Sequence, residues 1–364
     1  MTRKPADEPK PLEWNPPDRR ELVGVREDIA ESTANALVHA NTVQNLAQGR
    51  GTVTLTGVDP EIAASVLLVE ERRRLKSARL WAMTEAMTQV SIAAGRKLPS
   101  WEVRPEDVPS PCGLMMFDTP IGYYRADPPG EASQMVSIVA VSWGPTRIVE
   151  TPANHLWVTF WSLTHHEIGI RLLRSNGYRL RDARRLQHSM GDFTWDNEVL
   201  LAYNEAEVSV INSHGETEAV DPSNKHLAAN TTIEWIQTVR AAWLMMKRDA
   251  KRPIAEVEEL PLSKTERKQL QRRGYNDDPV RVVGLHQDRR PRASRERESG
   301  YTVTVRSHVT GHVRWQPYPS KGVIEPIWIE EHVRGPKDAP WSQQKTTVTV
   351  VDRPPGGRPP VNRK

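Results

Sequence analysis

The chain of 364 residues has a single cysteine, Cys112, only three phenylalanines, and no apolar run near the ~20 residues that span a bilayer. One thiol excludes a disulfide framework and any zinc site built from several thiolates, and makes a reduced cytoplasm the expected compartment. Without an apolar span, no membrane partner is expected. The opening MTRKPADEPKPLEWNPPDRR is polar and Pro-rich, which is not the pattern of a secretory signal. Also missing are a Walker A loop, a G-x-G-x-x-G after a strand and a G-x-S-x-G elbow, so nucleotide-dependent and serine-hydrolase chemistry have no support. Thr164-His165-His166-Glu167 lacks the H-E-x-x-H helix spacing of a metal site. No cofactor and no metal are expected, and a binding role is favoured over a catalytic one.

What is present is charge, unevenly spread. Lys plus Arg total 50 and Asp plus Glu 46. Residues 247–364 hold 25 basic and 15 acidic residues, a balance of +10. The first 246 hold 25 and 31, a balance of −6, and the two sum to the net +4. A basic C-terminal third points to a polyanion or an acidic protein surface.

Residues 1–20 read as a disordered tail. A helix is expected over Asp28–Ala47 and a short strand at Thr52–Thr56. A long helix follows, capped by Asp59, with Pro60 and Glu61 in its first turn and Gly95 at its end. Leu68, Leu75, Leu80, Met83, Met87 and Val90 would face the core, and Arg72, Arg73 and Arg74 the solvent. Residues 98–125 read as an extended Pro-rich segment entering a strand. Further strands are expected at Met135–Trp143, Leu156–Leu163 and Glu205–Asn212, with a polar helical stretch over 167–205. Ile233, Ile236, Val239, Trp243 and Met246 mark a helix over Asn230–Arg248. Ser263 and Glu266 have capping-box spacing for a helix over 264–273, closed by Gly274. Residues 287–300 read as a linker. The segments YTVTVRSHV, PIWIEEHV and TTVTVV read as three strands of a small antiparallel sheet.

The expected fold class is therefore α+β, with helices packed on a mixed or antiparallel sheet and a small basic C-terminal antiparallel β module. The expected divisions are a tail at 1–20, a body at 21–250, a basic helix and linker at 251–300, the β module at 301–352 and a tail at 353–364.

The candidate site lies in that module. His308, His312, Arg314, Trp315, Tyr318, Lys321, Trp328, His332 and Arg334 interleave rings with cations, a pattern able to stack bases and meet phosphates. The same Trp residues equally suit the core of a small sheet, with Arg and Lys as its solvated face. His308 and His312 beside Arg314 could also serve general acid–base cleavage of RNA without a metal. A sequence-tolerant DNA-binding role is a further alternative. Cys112, set among prolines before a strand, reads as a small buried hydrophobe.

Two segments, LPSWEVRPEDVPSPCGLMMFDTP and SHVTGHVRWQPYPSKGVIEPIWIEEHVRGP, resemble the type V-A anti-CRISPR proteins and related uncharacterised proteins of actinobacterial phages and plasmids. The Gly311-His312-Val313-Arg314-Trp315 step stands where that family has Gly-His-aromatic, with Trp315 in the place of the missing aromatic. The resemblance covers about a fifth of the chain. It implies a mobile-element accessory protein that antagonises host defence by binding a host protein, a nascent polypeptide or a translation complex, with RNA as a further partner.

Overall fold

In the computed structural model the described residues are 11–48, 58–99, 102–126, 134–147, 154–205, 209–211, 217–219, 231–247, 253–286, 306–336 and 340. The expected strand at Thr52–Thr56, the linker at 287–300, the TTVTVV strand and the C-terminal tail lie outside them. The elements in chain order are α1 (Leu22–Ser32), α2 (Ala36–Ala47), α3 (Pro60–Ser77), β1 (Arg79–Met83), α4 (Glu85–Gly95), β2 (Gly113–Phe117), β3 (Gly122–Ala126), β4 (Gln134–Pro145) and β5 (His155–Leu163). Then come α5 (His166–Ser175), α6 (Leu180–His188), β6 (Phe193–Ala202), β7 (Ser209–Ile211), β8 (Thr217–Ala219), α7 (Thr232–Met245), β9 (Ala255–Leu260), α8 (Lys264–Arg273) and β10 (Val280–Leu285). Four short strands close the series: β11 (Ser307–Val309), β12 (His312–Tyr318), β13 (Val323–Ile329) and β14 (His332–Arg334).

The main sheet runs β6-β5-β4-β2-β1-β10-β9, and β3 shares an edge of β4 with β2. Strand β1 pairs parallel to both β2 and β10, and the other pairs are antiparallel. Helices cover both faces of the sheet, as α/β layering requires. On one face Leu80, Ala82, Leu114, Met116, Ala140 and Trp161 pack with Leu22 and Ile29 of α1 and Leu75 of α3. On the other, Trp81, Met83, Met115, Phe117, Val141 and Trp143 pack with Met87 and Val90 of α4 and Val239 and Trp243 of α7.

Several expectations are corrected. The helix expected from Asp59 to Gly95 starts as foreseen, with Asp59 Oδ1 accepting from Glu61 N at 2.9 Å, but stops at Ser77. Leu80 to Met83 then form the central strand β1, and Thr84 caps the separate helix α4. A strand buried on both faces carries a continuous apolar run, which helical spacing also accommodates. Arg74 is not solvent-facing: it is 1 % exposed and ion-paired to Glu71 at 2.6 Å. The helix expected over Asp28–Ala47 is two, α1 and α2, broken before Asn35, whose side chain caps α2 by accepting from Leu37 N. The polar stretch 167–205 is helical only to His188 and ends in strand β6. Of the N-terminal tail, Trp14 and Arg19 dock on the body: Trp14 Nε1 donates to Phe117 O at 2.8 Å, and Arg19 pairs with Asp118. Strands β9 and β10 bring residues 255–285 into the main sheet.

The helix over 264–273 forms as its capping box and terminal glycine predict, with Gly274 at φ +73°. Its end is tied down by charge. Arg273 reaches Glu27 of α1 at 2.8 Å, and Tyr275 Oη donates to Glu31 at 3.0 Å.

Candidate binding site

The C-terminal strands make two ladders, β11 with β14 and β12 with β13. The register places Val313 opposite Trp328 and Trp315 opposite Pro326, so these four share one face of the ribbon. That face is turned toward the main body. Val313 is buried in the α4–α7 core, and Trp315 and Trp328 pack against it half-buried. Trp315 Nε1 donates to Ala94 O at the end of α4, 3.0 Å away. Gly311 lies under Trp328, where a Cβ would stand 2.5 Å from the indole. The two tryptophans therefore act as core residues that dock the ribbon.

The remaining expected site residues are dispersed. His308 pairs with Glu331 at 2.5 Å, and His312 Nδ1 lies 2.9 Å from Thr310 O. His332 Nδ1 lies 2.8 Å from Glu330 O, and Arg334 is exposed on β14. Arg314 is exposed and donates to Gln316, while Lys321 sits over the Tyr318 ring at 5.7 Å. Residues 306–336 hold four cationic side chains against three carboxylates, so the ribbon is close to neutral.

Cys112 is buried as expected, and burial pushes its thiol pKa up, away from nucleophilic use. Among the described residues no group of three His, Cys, Asp or Glu could hold a metal ion. No described helix is long and apolar enough to cross a membrane.

An open concavity lies under α2, a helix with no buried residue that makes polar contacts at its near end. Asn35 Nδ2 donates to Ser189 O at 2.8 Å, and His39 Nε2 meets Ser65 Oγ of α3 at 3.0 Å. The groove beneath has a volume of about 280 Å³. Its floor is Leu68, Trp161, Phe193 and Trp195, and its wall is Asn41, Thr42, Gln44 and Asn45 of α2. Ser32, Thr33, Val38, Met190 and Thr194 complete it, and none of these side chains is charged.

The floor is held rigid from below. Trp161 Nε1 donates to Ser142 Oγ at 2.9 Å, and Ser142 Oγ donates to Glu71 Oε1 at 2.6 Å. Glu71 Oε2 accepts from Thr159 Oγ1 at 2.9 Å and from Arg74 Nη2 at 2.6 Å. The Arg74 guanidinium stacks 5.0 Å over Trp157, whose indole N–H also bonds Thr159. Trp195 Nε1 donates to Glu198 at 2.8 Å. Both indole N–H groups of the floor are thus committed; Trp161 is itself buried, and Phe193 and Trp195 are the rings left partly exposed to an apolar guest.

A second unusual group lies across the sheet. Asp196 is the extra residue of a β-bulge, since Trp161 pairs with Trp195 and Phe160 with Asn197. Burial pushes its carboxyl up to about 7, with the Glu198 charge adding and the Tyr124 hydrogen bond at 2.5 Å opposing. Tyr124 packs beside Trp235 of α7, on the opposite side from α2.

Sequence reading missed the groove because its residues come from four separated segments and none belongs to a chemical motif. Compared with known protein families and with curated protein sequences, the chain matches none.

Proposed function

We propose that this chain acts by binding, as an anti-CRISPR-like accessory protein of a mobile element that takes an uncharged stretch of a host polypeptide into the α2 groove in the cytoplasm. The observation that carries this reading is the groove's lining, an amide-rich wall over an aromatic floor with no charged side chain. Asn41, Gln44 and Asn45 offer both donors and acceptors, which suits a peptide main chain. The partly exposed Trp195 and Phe193 rings suit one apolar side chain, whose burial contributes about 1.5–3 kcal/mol. A phosphate or a charged metabolite would meet no compensating charge there. The Glu71 network keeps the floor fixed.

The test is selection on an array of overlapping peptides with the full chain. Selected peptides should share an apolar residue in an uncharged stretch, and Thr42→Arg, which fills and charges the groove, should lose them while unfolding at the wild-type midpoint. If Thr42→Arg captures the same peptides as the wild type, the groove is not the binding site.

A further inference from the structure

The acidic average of the first 246 residues conceals a cationic projection. Residues 170–185 contain six arginines and one aspartate, a balance of +5 in a part of the chain whose overall balance is −6. They form most of the hairpin α5–α6, which leaves the sheet after β5 and returns to it at β6. Its helices pack mainly on each other, with Ala183 and Gln187 of α6 buried and Gly169 of α5 against Gln187.

The tip is built. Gly177, at φ +89°, closes α5 with Gly177 N donating to Arg174 O at 3.0 Å and Tyr178 N to Leu173 O at 3.1 Å. This is the two-bond stop that needs a left-handed residue, and it sets the next side chain outward. Tyr178 is 46 % exposed at that point. Arg174 and Arg179 flank it, both exposed. Along α6, Arg181, Arg184 and Arg185 lie at three- and four-residue spacing and all are exposed, Arg185 also 3.5 Å from Asp182, so they make one cationic stripe about 6 Å long.

We propose that the α5–α6 hairpin is a contact for single-stranded RNA. All six cations are arginine, whose planar fork meets phosphate oxygens in pairs and whose flat face stacks on bases. An exposed ring at the tip between arginines gives an unpaired base a platform, which a duplex with its bases stacked inside cannot use. Ser175 Oγ donates to Leu172 O at 2.8 Å and keeps its acceptor capacity, and with exposed Asn176 it can meet the 2′-hydroxyl that distinguishes RNA. The hairpin tip and the arginines of α6 share no residue with the groove lining, so the variants of one test it separately from the other.

The test is fluorescence anisotropy of the full chain with a labelled oligouridine of about 20 nucleotides, titrated at several salt concentrations. Binding should weaken linearly in log affinity against log salt. Arg179→Glu/Arg181→Glu/Arg184→Glu should lose at least about ten-fold in affinity and flatten the slope, by roughly 0.7 for each phosphate contact removed. Tyr178→Ala should lose about five-fold or more with little change of slope, and Tyr178→Phe should keep wild-type affinity. Because these side chains are exposed, unfolding midpoints should stay at the wild-type value, and the Tyr178 pair reads out independently of the arginine triple. Absence of binding, unchanged affinity in the triple variant, or equal affinity for the matching DNA strand overturns the proposal. So does displacement of the RNA by polyglutamate at equal charge, which would assign the hairpin to an acidic protein surface instead.

Discussion

Replacing Asp196 by Asn should remove a pH dependence of stability that the wild type carries. An aspartate in an unfolded chain titrates near 3.8, whereas burial on the β6 bulge pushes Asp196 up to about 7. Below the unfolded value both states hold the proton, and the carboxyl imposes no penalty on the fold. Between about pH 4 and 7 the native state keeps the proton that the unfolded chain releases, so stability falls by about 1.4 kcal/mol per pH unit. Above the folded value both states are ionised and the loss is complete, at about 4 kcal/mol for roughly three units. Asparagine cannot ionise, and its carbonyl oxygen can still accept from Tyr124 Oη, which donates to Asp196 at 2.5 Å in the wild type. The measurement is the urea midpoint of both proteins from about pH 4 to pH 8.5, with the difference taken so that other titrating groups cancel. Asp196→Asn should gain on the wild type steadily up to about pH 7 and then hold a constant advantage. Parallel curves for the two proteins would refute the assignment of a raised carboxyl to this position.

Three other perturbations follow from the packing. Gly95→Ala puts a Cβ 2.7 Å from Thr238 N and 2.8 Å from Gln237 C, where only backbone can give way. It should cost about 1–3 kcal/mol in denaturant unfolding by prising α4 from α7. Glu71→Leu strands the buried Arg74 charge and should cost about 3–5 kcal/mol, whereas Glu71→Leu/Arg74→Met should recover much of it, as a double-mutant cycle would show. Trp315→Ala should cost about 3–5 kcal/mol, while Arg314→Ala and Lys321→Ala should each stay within about 0.5 kcal/mol of wild type.

The parts of the fold written in local chemistry were legible. The capping box at Ser263 and the stop at Gly274 define α8, and Asp59-Pro60-Glu61 starts α3. What was lost were elements whose identity depends on being covered from both sides. Nothing in Leu80-Trp81-Ala82-Met83 separates a central strand from two helical turns, because burial on both faces erases the alternation that marks a strand. Arg74 misleads for a related reason: in a run of three arginines only the neighbours brought by β4 and β5, Ser142 and Thr159, make one position an interior ion-pair site. For the site, residue type was a poor guide to exposure. Trp315 stands beside Arg314 in a segment that also holds Lys321, as a stacking face would, yet the side of the ribbon that meets α4 and α7 is decided by tertiary packing.

Charge shows the same distinction between composition and placement. The +10 balance after residue 246 first points to a basic binding module, but among the described residues some of its cations are paired within the molecule, Lys247 with Asp107 and Arg281 with Glu259. Arg273 is spent on Glu27 and Glu31 of the acidic α1, and the ribbon over 306–336 is nearly neutral. Among the described residues an exposed cluster of arginines lies instead on α5–α6, inside the segment whose total is negative. Its signal was present in the sequence as a window of 16 residues with six arginines around Asn176-Gly177, a helix stop that makes a hairpin tip. A balance taken over a whole domain measures how the fold is held together as much as what it binds. Only charge that the fold leaves exposed on a protruding element is available to a partner, and here that criterion selects the hairpin over the C-terminal ribbon.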